Sequence, residues 1–214
     1  QLGLPRRDLR SLAMGCMLMD VGKLRVDPAL LQAERELTTE EAAELSQHVN
    51  HGLEILKECG ILNKDVIDIV AHHHERFDGS GYPAGLSRDQ IPPFARIAGI
   101  VDTYDAVTSH RSYAAAVSPS NAIKLLYELR DRAFQAELVE AFIQAVGIYP
   151  AGTLVELSSG EVGVVVAEYR THRLRPKVLL LLDAQKKRLP AERVIELQEA
   201  APDSGAPPLS IKQS

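Results

Sequence analysis

Three consecutive histidines, His72, His73 and His74, end one apolar segment of the chain, and His48 and His51 stand in another. Side chains on a helix diverge by about 100° per residue, so two neighbours at a helix end can both reach a ligand set against that end. Three adjacent histidines would be an odd way to fill a core, although the run by itself would equally suit a solvated polar terminus. Carboxylates complete the set. Asp20 follows an apolar run and precedes Val21-Gly22-Lys23, and Asp102 interrupts the otherwise apolar stretch 97–107. A carboxylate in such surroundings needs a partner, because burying it unpaired is costly. Imidazole and carboxylate together suit Zn, Fe, Mn or Ni, without choosing among them. Metals held this way activate water near neutral pH and clamp a phosphate for attack.

The elements that must position these groups are mostly helical. Residues 6–19 read as a helix, followed by a connection over 24–37 with a short helical piece around Pro28. Thr38 with Glu41 three residues later forms a capping box, opening one helix with an apolar stripe of Ala42, Leu45, Val49, Leu53 and Leu56 that stops near Gly60. A further helix is expected over 63–74, then a long Gly/Pro/Asp-rich loop over 75–93, a length that is usually functional in compact domains. Helices over 94–110, from Ser118-Pro119 onward, and through Leu138–Val146 to Gly147 complete the helical part. After Pro150 the period changes. The runs 153–157, 163–169 and 176–183 are β-branched or leucine-rich, with a turn at Ser158-Ser159-Gly160, which predicts a small antiparallel module of three or four strands. Its basic residues, among them Arg170, Arg173, Lys177 and Lys186, read as solvated hairpin faces. The expected organisation is a helical domain over 1–149, a β module over 150–200, and a disordered Pro/Gly/Ser-rich tail over 201–214.

Composition narrows the class. The chain is 45% hydrophobic and 25% charged, with a net charge of −5, which argues against a surface that coats polymeric nucleic acid. No apolar run approaches the roughly 20 residues of a membrane span, so neither a membrane nor a secretory route is expected, and the expected compartment is the cytoplasm. Cys16 and Cys59 lie in apolar helical patterns without ligand spacing and read as buried free thiols. Because the chain begins Gln1-Leu2-Gly3, it reads as a piece of a longer protein.

Taken in order, the residues form a pattern. Asp20-Val21-Gly22-Lys23, a helical His48, the run from His73-His74-Glu75 to Gly81-Tyr82-Pro83, Asp102-Thr103-Tyr104-Asp105, and Arg111-Ser112-Tyr113 together resemble the HD-GYP phosphodiesterases. The match covers about residues 10–147, and its His73-to-Pro83 segment is ungapped and rich in uncommon residues. The resemblance implies an HD-type helical bundle, here followed by the β module, that hydrolyses cyclic di-GMP to pGpG or GMP. It implies Asp20 as the bridging aspartate of the dyad. His48, His73 and His74 would ligate the metal on one side, and Asp102 the metal on the other. It places Lys23 at substrate phosphate, Gly79, Gly81, Tyr82 and Pro83 in the signature loop beside the site, and Arg111 on the dinucleotide.

The chain departs from the family at three points. Met19 stands where the dyad has histidine, and a thioether is a poor ligand for a hard divalent ion. The family's helix before the dyad, which normally supplies a further glutamate and histidine, is not in this chain, and Ala114 replaces a basic residue near Arg111. The expectation is therefore about one tightly bound transition metal per chain and weak hydrolysis. Two alternatives stand beside it: a silent cyclic-di-GMP sensor, and an interaction module whose 75–93 loop binds signalling proteins. Nothing in the sequence specifies the oligomeric state.

Overall fold

A computed structural model describes residues 2–109, 116–169, 174–198 and 209–213. It forms two compact units, residues 1–116 with 125–142, and residues 117–124 with 143–214.

The first unit is helical. Helix α1 (Arg6–Leu18) leads through Met19 and Asp20 into a 3₁₀ turn, Val21–Arg25, and then into the single-turn α2 (Pro28–Leu31), capped by the Asp27 carboxylate. Thr38 caps α3 (Thr39–Ser46) with the reciprocal Glu41 contact that the capping box predicts. The single helix expected from Thr38 to Gly60 is instead two. Gln47 ends α3 with a tightened turn and starts α4 (His48–Glu58). The reason is tertiary: α3 buries no residue, whereas α4 must turn His48, Val49, Gly52 and Leu56 inward. Helix α5 (Lys64–His72), capped by Asn63, is the central element, with Val66, Ile69, Val70 and Ala71 buried. It touches α1, α4 and α6 (Pro93–Thr108). Leu56, Val66 and Val70 form a core cluster joined by Leu18, Leu53, Ile61 and Ile67.

The thiols correct the sequence reading. Cys16 is only half-buried and Cys59 is exposed, because Cys59 caps the C-terminus of α4 beyond its last buried residue, Leu56. Helices α7 (Pro119–Glu128) and α8 (Ala136–Val146) follow, the latter ending at Gly147 with φ +89°. No helix among the described residues is long and apolar enough to cross a membrane.

The second unit is built on a five-stranded antiparallel sheet ordered β4-β3-β2-β1-β5, from β1 (Leu154–Leu157), β2 (Val162–Ala167), β3 (Lys177–Leu182), β4 (Arg188–Glu196) and β5 (Ile211–Gln213). Alternation sends Val155, Leu157, Val165, Val178 and Leu180 into one cluster with Leu197. Two strands exceed the sequence expectation. β4 contains Pro190 and four charged residues among 188–196, which hides its alternation, and β5 lies inside the segment expected to be a tail. β5 pairs with the open edge of β1, and Leu209 and Ile211 pack against the cluster. Lys177 and Lys186 are paired, with Glu196 and Glu156, while Arg170 and Arg173 lie outside the described residues.

Truncation after residue 208 is therefore expected to destabilise the sheet by about 2 kcal/mol, since two half-buried aliphatic side chains and an edge ladder are lost. Urea unfolding of the truncated and full chains, monitored at the sheet by amide exchange, measures it; equal stability would mean that β5 contributes nothing.

Candidate metal centre

Four of the sequence-predicted ligands converge. Asp20 lies directly after the α1 C-cap Met19, His48 is the first residue of α4, His73 is the C-cap of α5, and His74 follows it. One donor atom from each of Asp20, His48, His73 and His74 lies within 4.8 Å of all the others. Asp20 Oδ1 is 3.4 Å from His48 Nε2 and 3.8 Å from His73 Nε2, and the Nε2 atoms of His48 and His74 are 3.1 Å apart.

The surrounding backbone sets the tautomers. Nδ1–H of His48 donates to the Leu45 carbonyl at 2.7 Å, and Nδ1–H of His73 is shared between the Ile69 and Val70 carbonyls at 3.2 Å each. A proton held at Nδ1 leaves the Nε2 lone pair facing the cluster, which is how outer hydrogen bonds orient a ligand imidazole. Burial pushes all three histidines below their ordinary range: His48 downward, His73 to about 4, and His74 to about 2 with help from the neighbouring His73. They are neutral at pH 7, the state a metal requires.

The fit can be tested on the protein itself. His73 Nε2 and Asp20 Oδ1 are buried without a hydrogen-bond partner among the described residues. Orphaned buried polar atoms are rare and call for a missing partner. An acceptor nitrogen and a carboxylate oxygen aimed at one point fit a cation, and the N/O donor set fits a divalent transition metal.

The remaining predicted residues surround this cluster. Lys23 Nζ donates to Asp20 Oδ2 at 2.6 Å, leaving Oδ1 to the histidines. Asp102, on α6, stands outside the four-residue group, with its Oδ2 3.8 Å from His74 Nδ1. His51 and His72 are not part of it either. Gly79, Gly81, Tyr82 and Pro83 lie in the loop after α5, and the Tyr82 ring stacks on His74 at 4.7 Å and 25°. Burial raises the Tyr82 phenol to about 12, so it stays protonated. Arg111 and Ala114 lie outside the described residues.

One residue of the site received no role from sequence. Glu75 is buried, and its carboxylate accepts N–H bonds from Ala84 and Leu86 across the loop. The only signal was its place between two histidines and a Gly-rich segment whose amides need acceptors.

The chain is similar to known proteins over most of its length. Residues 1–138 match the HD domain family, and residues 154–201 match a KOW domain associated with the HD domain. The chain is similar to the cyclic di-GMP phosphodiesterase PA4108 of Pseudomonas aeruginosa, with 36% identity across 94% of this chain and 48% of that one. It is similar to the 3'3'-cGAMP-specific phosphodiesterase 2 of Vibrio cholerae, with 36% identity across 59% of this chain and 24% of that one. The chain thus spans half or less of these relatives' length. Among solved structures it resembles Bd1817, a HDG"Y"P protein from Bdellovibrio bacteriovorus, with a TM-score of 0.53 and 21% identity over 65% of this chain and 44% of that one. At that identity the likeness concerns the fold.

Proposed function

This chain belongs to the HD domain family, and from that premise we propose that it is a metal-dependent phosphodiesterase domain hydrolysing cyclic di-GMP to pGpG or GMP. The observation that carries the proposal is the convergence of Asp20, His48, His73 and His74, with two buried donor atoms lacking a hydrogen-bond partner among the described residues. Two curated relatives named for cyclic-dinucleotide phosphodiesterase activity support the substrate class.

In this reading Asp20, His48, His73 and His74 hold one divalent ion, of Fe, Mn, Zn or Ni. Such an ion supplies Lewis acidity and lowers the pKa of water near a phosphodiester. Lys23, now on Asp20 Oδ2, offers its ammonium to a phosphate oxygen. The loop of Gly79, Gly81, Tyr82 and Pro83 borders the dinucleotide, and Arg111 orients it. Asp102 contributes to a second metal position that Met19 weakens. Met19 also favours a second reading, a domain that binds cyclic di-GMP with little turnover and passes the signal to a partner protein.

The test is elemental analysis of the purified chain, followed by hydrolysis assays on cyclic di-GMP and 3'3'-cGAMP with Mn or Fe added anaerobically. About one ion per chain and slow turnover are expected. Met19→His is expected to raise metal content toward two, because imidazole replaces a thioether beside Asp20. Binding of cyclic di-GMP without turnover, in wild type and variant alike, would select the sensor reading. Two fully occupied metals in the wild type would overturn the role given to Met19.

A further inference from the structure

We infer that Glu75 is a positioning residue for the metal site: its buried carboxylate ties down the 79–86 loop so that Tyr82 is held against the ring of His74. This inference rests on the reading of the four-residue cluster as a metal centre.

The Glu75 side chain has no solvent exposure, and among the described residues the nearest basic side-chain atom paired with it, His72 Nδ1, is 3.9 Å away, beyond hydrogen-bonding range. Its charge is met instead by backbone. Oε1 accepts the Ala84 N–H at 2.8 Å and Oε2 accepts the Leu86 N–H at 3.0 Å. Bonds of this kind to an ionised carboxylate are about twice as strong as neutral ones. Each oxygen thus fixes one point of the loop, two and four residues beyond Tyr82.

The other end of the loop is fixed by contact. A Cβ at Gly81 would lie 2.5 Å from Glu75 Cα and 2.5 Å from the His74 carbonyl oxygen, so this segment rests directly on the backbone of residues 74–76. The Tyr82 N–H donates to that same carbonyl at 3.3 Å. Tyr82 is therefore held from both sides, and its ring covers one face of the His74 imidazole. Among the described residues His74 has no backbone acceptor of the kind that orients His48 and His73; its Nε2 meets His48 Nε2 at 3.1 Å, and the stacked Tyr82 ring restrains the imidazole face. A ligand whose ring turns freely loses orientation that must be regained when the ion binds.

The experiment is titration of the metal-free full chain with Co(II), reading affinity and visible absorption, for wild type, Glu75→Gln, Tyr82→Ala and the double variant. Gln keeps the shape but has one acceptor oxygen in place of two. Glu75→Gln is expected to weaken Co(II) binding about 10-fold, the lower end of what loss of an outer partner costs a ligand. Because both residues act through His74, the double variant should be no weaker than the more severe single variant. A merely structural Glu75 would lower the melting temperature and leave Co(II) affinity unchanged, or make the two losses additive; either result overturns the inference. If Glu75→Gln does not fold, Tyr82→Ala decides alone, since it leaves the clamp intact: unchanged Co(II) affinity there also overturns it. A wild-type chain that binds no Co(II) would remove the metal-site reading itself, whereas binding by wild type and variants alike would remove only the role of Glu75.

Discussion

His73→Ala is expected to abolish metal retention by the purified chain while leaving the metal-free fold close to its original stability. His73 is fully buried at the end of α5, and its Nε2 has no partner among the described residues, so the metal-free protein bears the cost of burying it. Alanine removes that unsatisfied nitrogen but leaves a cavity, and the two effects oppose each other. The metal-dependent term has no such offset. One of three imidazoles disappears, and the affinity loss should exceed the roughly 10–100-fold associated with outer-shell partners. At a metal concentration of about 100 times Kd the wild type gains about 2.7 kcal/mol of stability from binding. The variant should gain almost none. Calorimetric melting with and without Mn or Co, together with elemental analysis, reads both quantities. Equal metal content in wild type and variant would exclude His73 as a ligand.

Gly22→Ala should produce the largest loss of stability of any single methyl addition near the site. Gly22 is buried in the 3₁₀ turn that follows Asp20, and a Cβ there would overlap the His48 carbonyl and the Gly52 amide nitrogen. Both obstacles are backbone of α4, so no side chain can swing aside. The turn and α4 must separate, at a cost of about 3 kcal/mol or more, the upper range of overpacking. The same displacement would part Asp20 from His48, now 3.4 Å apart, so metal retention should fall along with stability. Urea unfolding midpoints combined with Co(II) titration test this. A variant with wild-type stability would show that the turn and α4 can move apart freely, and that this close packing does not hold the site.

The local features of this protein were legible because local chemistry writes them. The Thr38–Glu41 capping box satisfies amides within one turn, so its residues announce it. The histidine pair and Asp20 could be named as candidate ligands because their order along the chain resembles the HD-GYP pattern; the histidine run alone would equally suit a solvated terminus. The residues that make the fold's contacts were harder. Nothing near Gln47 signals a break, since α3 and α4 part there only because α4 has a face to bury and α3 has none. β5 is three residues that become a strand by completing the edge of β1, more than fifty positions earlier.

The amino-acid order by itself determined the helical character of the segments bearing the candidate donors and the change to β structure after Pro150, and its resemblance to the HD-GYP pattern named those candidates. Only the tertiary structure decided which nitrogen of each histidine faces the cluster, that Asp102 approaches His74 from outside the four-residue group, and that Glu75 answers loop amides rather than a cation. The division follows from range. Side-chain type and helical period are set within a turn or two, whereas tautomer, burial and donor–acceptor distance depend on groups from distant segments that meet only when the core closes.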